Sequence, residues 1–496
     1  MNNSVLKNSK VIIRLGSMIM GLLYVLPIII ANRYYNDDAP EVLFLSPVWI
    51  KDGRPLTDLL MRLLCGANNY IYDLFPLTLI LAVIVLMIVS AKWTEKFYDT
   101  DGAIGVIVTF LPLSMGFYLS NLSYRFDCIG YTMSVVFIMI PFMVDTKVKW
   151  KKYAINTIFV LISMCFYQAT IGMYLGLIIV VMFIRRLKGE KTPEDLLSRV
   201  VSVAVAAVLY KTTIAPALVD EIGWRGDAGR FADVLSIPET MLSNIYKISM
   251  LVWMYLRSLG GRQVILYVFV LLLAAVATYL LMEGRSTRSR VLAVLLYCSL
   301  VPGVYIVSIL PMSILEYSSA DSRHLPELIS LMFVLSVSLV VICRRWPRTA
   351  MVLGIMIVLF RFSFSYAYGN ILRQQRVYAD YVAQSIARDI EELDSGEIEQ
   401  IVIDGEMPYS PVARSLFRMM PILKEMVPSG LDGDGMLNGA LINHYYPYLL
   451  DFVDTRKNNE RYEPNPNTVV VKRLIYDMYA ENNRVYVRFK QIRNAH

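Results

Sequence analysis

The sequence predicts an α-helical polytopic membrane protein with a small α/β domain at its C-terminus. Of its 496 residues 56% are hydrophobic and only 18% are charged, and the mean hydropathy is +0.50. A soluble chain of this length usually carries more charge. The apolar residues form blocks of about 15 to 20, the length of a helix that crosses the hydrocarbon core. Most clustered Lys and Arg lie between these blocks, so the net charge of +7 indicates membrane orientation and not nucleic-acid binding.

Common cofactor and hydrolase signatures are missing from the sequence. The five cysteines are scattered without CxxC spacing, and there are only three histidines. This pattern predicts neither a disulfide framework nor a zinc site. No GxGxxG, P-loop, HExxH or GxSxG segment occurs, so nucleotide-binding, zinc-protease and serine-hydrolase functions gain no support.

Basic residues predict how the spans are oriented. Lys7, Lys10 and Arg14 precede an apolar run that ends at Ile30 without a cleavage motif, which predicts an uncleaved first helix with a cytoplasmic N-terminus. Hydropathy predicts about eleven spans, at residues 11–31, 74–91, 104–120, 129–144, 152–166, 169–184, 199–216, 264–282, 291–311, 326–342 and 350–366.

The segment 241–258 decides on which side the C-terminus lies. It contains Lys247 and Arg257 and is only moderately apolar. If it lies at the membrane interface or re-enters, the basic segments 283–290 and 343–348 both face the cytoplasm, as the positive-inside rule requires. We therefore predict that this segment does not span and that the C-terminus is extracytoplasmic.

This orientation divides the chain into a membrane domain, 1–366, and an extracytoplasmic domain, 367–496. The membrane domain then has outer loops at 32–73, 121–128, 217–262 and 312–325. In the C-terminal domain, periodicity predicts helices at 371–394 and 410–420 and strands at 398–405, 468–476 and 483–490.

The first outer loop offers the strongest candidates for acid–base chemistry. Asp37 and Asp38 lie a few residues beyond the first span. A carboxylate near a low-dielectric boundary can have a raised pKa and act as a general base, although an ordinary solvated acidic turn would look the same. Together with a phosphate, the pair could also hold Mg²⁺ or Mn²⁺, but one Asp pair is not enough to predict a metal, and no cofactor is predicted with certainty.

Three arginines in the outer loops suit an anionic ligand, because a guanidinium is always charged and donates in a bidentate manner to phosphate. They are Arg54 in a turn before a helix, Arg125 in the second loop and Arg323 at the start of a later helix. Gln168 marks either a tight outer turn or a polar group in a cavity. The candidate substrate-binding residues are Tyr35, Asp127, Gln168, Tyr317 and His324.

Several short segments carry a resemblance to a known family. They are YYNDD (34–38), DGRPLTDLLMRLL (52–64), YRFD (124–127), YQAT (167–170), SYAYGN (365–370), IVIDGEMPYSP (401–411) and PILKEMVP (421–428). In these segments and their order the chain resembles the Gtr-type serotype-converting glucosyltransferases, which modify bacterial O-antigen. The resemblance is firmest over 30–180 and 360–430.

This resemblance implies a GT-C-type fold in the bacterial cytoplasmic membrane and a polyprenyl-phosphate-linked hexose donor, with glucose as the hexose. Transfer to a surface glycan would take place outside the membrane by a single inverting displacement. The resemblance also implies an essential acidic residue in the first outer loop, which favours Asp37 or Asp38. The segment APE that follows the pair departs from the more aromatic and basic segment of many relatives.

Two other functions fit a polytopic chain of this kind. A transporter or flippase of lipid-linked saccharides would have charged groups deep within several helices and internal repeats. A structural component of envelope assembly would not need the acidic pair. The charges of this chain lie mostly at the edges of the apolar blocks, and no repeat is evident, so we favour the transferase.

Overall fold

The apolar blocks are helices in the computed structural model, which describes residues 3–45, 49–67, 70–190, 193–219, 230–233, 235–316, 321–393, 398–431, 440–453, 469–481 and 483–490. We call the described residues from 398 onward the tail. The helices before the tail are α1 (Asn3–Ala31), α2 (Asp38–Phe44), α3 (Pro55–Cys65), α4 (Leu77–Phe97), α5 (Gly102–Phe110), α6 (Tyr118–Ser123), α7 (Cys128–Met143), α8 (Lys149–Phe166), α9 (Ile171–Lys188), α10 (Pro193–Leu209), α11 (Ala215–Leu218), α12 (Ile237–Leu259), α13 (Gly261–Leu281), α14 (Thr287–Cys298), α15 (Leu300–Ser313), α16 (Ile329–Arg345) and α17 (Pro347–Leu393).

Each of the predicted spans coincides with helical structure, but three of them are irregular. The block 104–120 is divided by the 3-10 turn Leu111–Ser114, and the block 199–216 contains the π turn Tyr210–Ile214. Helices α14 and α15 meet at a bend of 43°. Pro302 lies in the first turn of α15, where its ring excludes the carbonyl of residue 298 from regular helix geometry, which accounts for the bend.

Seven of the described helical segments are long and apolar enough to cross a membrane, or eight if α14 and α15 form one span. Two shorter apolar segments, Gly102–Ser114 and Cys128–Met143, accompany them. Helix α13 shows the expected lipid-facing side, because its exposed residues include Ile265, Val268, Phe269, Leu272 and Val276. The chain is therefore a membrane protein, while the count of eleven spans and their orientation stay predictions.

The ambiguous segment 241–258 lies within α12, which is a continuous helix of 23 residues. It is not among the described segments that pass as apolar spans. The side chain of Asn244 donates to the backbone carbonyls of Ser313 and Leu315 at 3.0 and 2.8 Å, so α12 packs beside the end of α15. Its placement at the membrane interface stays a prediction.

Glycines allow α9 and α15 to pack closely. A Cβ atom added to Gly172 would lie 1.9 Å from the backbone oxygen of Ser308, and one added to Gly176 would lie 2.4 Å from the Ser308 hydroxyl. The segment GMYLG therefore brings two helix backbones together, as small residues do in membrane bundles.

Helix α17 joins the membrane part to the tail without a break. Its 47 residues include the predicted span 350–366 and the predicted amphipathic helix 371–394 apart from residue 394, which lies outside the described residues. The predicted domain boundary at 366–367 thus falls inside one helix. Gly369 does not interrupt this helix and instead allows close approach to α1, because an added Cβ would lie 2.3 Å from Cβ of Pro27.

The end of α17 packs against a small sheet. The tail contains α18 (Pro411–Met419), α19 (Ile422–Met426), α20 (Ala440–Asn443), β1 (Gln400–Asp404), β2 (Asp451–Val453), β3 (Val469–Lys472), β4 (Tyr476–Glu481) and β5 (Arg484–Phe489). The strand order is β2-β1-β5-β4-β3, with parallel pairing of β1 to β2 and β5 and antiparallel pairing elsewhere. The predicted strand 468–476 is shorter than expected, because the chain turns before β4 begins.

One hydrogen bond joins the tail to the loop that follows α1, and two more join the tail to α17. The hydroxyl of Tyr35 donates to the Met426 carbonyl at 2.6 Å. Gln375 donates to the Ser429 carbonyl at 2.7 Å and accepts from the Ser410 backbone N–H at 2.8 Å. The first loop and the tail therefore meet at one end of the helical bundle.

Candidate functional site

Asp38 fixes the start of the first loop, which we define as residues 32–45 and 49–54. Its side chain is fully buried. One carboxylate oxygen accepts from the backbone N–H of Tyr35 at 2.8 Å, and both oxygens accept from the backbone N–H of Arg125 at 3.0 and 3.1 Å. Burial raises the pKa of Asp38, and these backbone N–H groups oppose the rise. Asp38 thus ties the first loop to the chain that precedes α7.

Asp37 occupies a different environment from its neighbour. Its side chain is partly exposed, and no hydrogen bond among the described residues ends on its carboxylate. Burial raises the pKa of Asp37 above its usual range, while the charges of Arg323 and Arg54 act to lower it. A carboxylate of this kind can accept a proton from a bound hydroxyl group.

Arg54 is one of the two cations whose charge acts on Asp37. An ion pair and two aromatic rings hold its side chain in place. Its Nη1 lies 3.2 Å from Oδ1 of Asp127, which also accepts from the Trp49 indole at 2.9 Å. The guanidinium lies over the rings of Tyr131 and Tyr167, 5.6 and 5.0 Å from their centres. Burial raises the pKa of Asp127 to about 6 against the opposing charge of Arg54.

Arg323 is the second cation whose charge acts on Asp37. Its Nη1 donates to the Tyr124 hydroxyl at 2.6 Å, and its Nε lies 3.2 Å from Asp321. Its backbone carbonyl accepts from Asn121 at 2.8 Å and from Tyr167 at 3.0 Å. We call Asp37, Arg54, Asp127 and Arg323 the Asp37 cluster.

The remaining predicted ligands support this cluster or lie beside it. Gln168 begins a 3-10 turn, and its side chain donates to the Gly53 carbonyl at 3.0 Å. It therefore marks a turn and also positions the residue next to Arg54. Tyr35 is buried and bonded to the tail, and His324 lies in the short helix Ser322–His324 with Arg323. Tyr317 lies outside the described residues.

The guanidinium of Arg125, predicted to join the same phosphate site, is bound by Asp73 and Asn32. Its Nε donates to Asp73 at 2.8 Å, and its Nη1 donates to Asn32 at 2.7 Å. The guanidinium lies over the rings of Tyr34 and Phe75 at 4.8 and 4.4 Å from their centres. Its backbone N–H donates to Asp38, so Arg125 also helps to anchor the first loop.

A metal bridging Asp37 and Asp38 gains no support from this geometry. Both oxygens of Asp38 already accept backbone N–H groups. Within the described ranges, no group of three or more His, Cys, Asp or Glu side chains is arranged to hold a metal ion.

Glu41 is a residue of the site that sequence reasoning missed. One of its oxygens, Oε2, is buried without a hydrogen-bond partner in the described part of the chain. Burial raises the pKa of Glu41 well above its usual range, and the nearby Asp127, Asp38 and Asp37 raise it further. Its position four residues after Asp37, on the same face of a short helix, was a usable signal.

Comparisons with known proteins agree with the resemblance of the sequence motifs. The family model described as "Glucosyl transferase GtrII" matches residues 26–359, a range that includes the whole Asp37 cluster. A Salmonella phage P22 protein, described as an uncharacterized 55.3 kDa protein in the gtrB 5′ region, is 23% identical over 430 residues, which cover 85% of this chain and 88% of that protein. No solved structure gives a significant match.

The two neighbouring aspartates should differ in their effect on stability. In Asp38→Asn a donor replaces one of two acceptor oxygens, so we expect the free energy of unfolding to fall by about 1–3 kcal/mol. Asp37→Asn should change it by less than about 0.5 kcal/mol. Thermal unfolding of the purified variants in detergent measures both. Equal losses would show that Asp38 does not anchor the loop.

Proposed function

The chain belongs to the glucosyl transferase GtrII family, and on that basis we propose that it transfers glucose from a polyprenyl-phosphate-linked donor to a surface glycan such as O-antigen. Membership of this family implies a glycosyltransferase. The observation that carries the proposal is the partly exposed Asp37 carboxylate, whose pKa is raised by burial while the charges of Arg323 and Arg54 act to lower it. A glycosyl transfer from a phosphate donor needs a base and cations in this arrangement.

The proposed reaction is a single displacement. Asp37 accepts the proton of an acceptor hydroxyl as that oxygen bonds to the anomeric carbon of the sugar. The bond from the anomeric carbon to the phosphate oxygen breaks, and the lipid phosphate leaves from the opposite face with the bonding electrons. Attack and departure on opposite faces invert the anomeric configuration.

Two arginines of the Asp37 cluster stabilise the departing phosphate in this proposal. Arg54 and Arg323 approach Asp37 from different elements, and each is held by a neighbouring carboxylate, Asp127 or Asp321. Cations fixed in advance do not have to reorganise when charge develops on the phosphate. Arg125 is a weaker candidate because the arginines whose charges act on Asp37 are Arg323 and Arg54. Asp38 acts as a positioning residue.

A lipid-linked donor matches the surroundings of the site. Asp37 lies only six residues beyond the apolar segment Ser9–Ala31, so a polyprenyl chain could stay in the bilayer while its sugar reaches the cluster. Binding of the lipid chain would help to hold the reacting carbon in place. We propose the outer face of the bacterial cytoplasmic membrane as the location, with the tail on the same side.

A flippase for lipid-linked saccharides is the second candidate function. Arg361 within α17 is buried and donates to the Tyr255 hydroxyl, and Glu327 at the start of the segment Pro326–Arg345 is buried as well. Charged groups within membrane helices are features of transport pathways. The family membership and the partly exposed Asp37 favour transfer.

Loss of the proposed base should abolish most of the activity. We expect Asp37→Asn to lower the rate of glucosyl transfer by about 10²–10⁴-fold, measured with purified protein, polyprenyl-phosphate glucose and acceptor glycan. Asp404→Asn removes an exposed carboxylate in β1 and should leave the rate unchanged. Full activity of Asp37→Asn would exclude Asp37 as the base. Movement of the lipid-sugar across vesicles without any transfer would favour the flippase.

The arginines should set the pH range of the reaction. A base must be unprotonated, so kcat/KM falls as the pH drops through the pKa of Asp37. Arg323 lowers this pKa, and Arg323→Gln should therefore raise it and move the acidic limb of the pH–rate profile to higher pH. Arg373→Gln, which removes an exposed charge on α17, serves as the control. An acidic limb that moves to lower pH in Arg323→Gln would contradict this assignment.

A further inference from the structure

A cavity of about 280 Å³ lies where the first loop meets the tail. Its charged lining residues are Arg33 and Arg125 from the membrane part and Arg376, Asp380 and His444 from α17 and the tail. This volume is slightly below the usual range for small-molecule sites, about 300–1,000 Å³, and exceeds that of a bare phosphate ion. With three arginines and one carboxylate, the lining has a positive charge.

Two of the three arginines already have carboxylate partners. Arg125 pairs with Asp73 at 2.6 Å, and Arg376 pairs with Asp380 at 3.4 Å. The third, Arg33, is only 7% exposed. One of its terminal nitrogens donates to the Pro428 carbonyl, whereas the other, Nη1, has no hydrogen-bond partner among residues that the structure describes.

Arg33 is therefore a buried cation with one donor atom, Nη1, that is not satisfied within the described residues. Burial lowers the pKa of Arg33 to about 10, which leaves it charged at neutral pH. A buried donor that is left unsatisfied costs about 1–3 kcal/mol, and more if it is charged. Buried charges in proteins are usually paired, so we expect an anion to bind this guanidinium.

His444 provides a second unsatisfied group in the same cavity. Its ring stacks on Tyr34 with the ring centres 5.1 Å apart. Its Nε2 is buried and has no partner within the described ranges. An oxyanion between Arg33 and His444 would satisfy both groups, and guanidinium donors bind phosphate oxygens with favourable geometry.

We propose that this cavity is a binding site for a phosphate ester, with Arg33 Nη1 as its principal donor, and that it is distinct from the Asp37 cluster. The two sites are connected through the Tyr124 hydroxyl, because Asn36, which lines the cavity, donates to it at 2.8 Å and Arg323 also donates to it. The ester comes either from a phosphorylated lipid or from a water-soluble phosphate. Binding does not require the proposed transfer reaction.

Calorimetric titration of the full-length protein in phosphatidylcholine nanodiscs tests the site. The probes are glucose 1-phosphate in solution and polyprenyl phosphate delivered in nanodiscs. We expect Arg33→Gln to weaken binding about tenfold or more, since it removes a charge-assisted hydrogen bond. Arg33→Lys should lose less, and Arg373→Gln, which removes an exposed arginine of α17, should bind like the wild type.

The site is overturned if neither probe binds, or if Arg33→Gln binds normally with an unchanged unfolding temperature. Should Arg33→Gln fail to fold, His444→Phe and Arg376→Gln replace it as test variants. The phenyl ring of His444→Phe keeps the stacking on Tyr34. Normal binding by both of these variants also overturns the proposal.

The two probes identify the source of the ligand, and an Asp37 variant separates this site from the transfer reaction. Binding of glucose 1-phosphate supports a site for soluble phosphate esters, whereas binding of the polyprenyl probe alone supports a lipid site. Asp37 does not line the cavity, so Asp37→Asn should keep its affinity for the probe even though it loses transfer. A protein without transferase activity that still binds the probe through Arg33 would refute the proposed function and leave the cavity proposal intact.

Discussion

The buried carboxylate of Asp38 holds the backbone N–H groups of Tyr35 and Arg125, and the arrangement of both proposed sites depends on it. These bonds join the chain after α1 to the chain before α7. With that junction fixed, Asp37 is within the electrostatic influence of Arg54 and Arg323, while Arg125 lines a cavity together with residues of the tail. In the proposed mechanism the adjacent acidic residues therefore have separate tasks, since Asp38 shapes the loop and Asp37 accepts the proton.

Opposing electrostatic effects tune Asp37. Burial favours the protonated carboxyl group, and the arginines favour the carboxylate. The balance keeps a proton acceptor near the cations that would receive a phosphate. The tail contributes to this end of the molecule, because Met426 and Ser429 are bonded to Tyr35 and Gln375. The continuous helix α17 makes the tail part of the same structure as the membrane helices.

The sequence was sufficient to locate the apolar helices, because an apolar block long enough to cross a bilayer forms a helix that pairs its own backbone N–H and C=O groups. It could not separate Asp37 from Asp38, because the difference depends on the backbone of Arg125, which is 87 residues away from Asp38. Likewise, no local sequence pattern indicates that Arg125 pairs with Asp73. The boundary at 366–367 was drawn from a change in composition, but the helix hydrogen bonds continue through it. Glu41, in contrast, could have been found from its spacing to Asp37.

The central claim is that transfer is a single displacement, and the stereochemistry of transfer tests this claim most directly. A donor of known anomeric configuration, labelled at the anomeric carbon, would be incubated with the reconstituted protein and acceptor. The coupling of the anomeric proton in the product, measured by NMR, reports the new configuration. The mechanism predicts inversion. Retention would contradict it, because retention requires a second displacement through a covalent glycosyl intermediate.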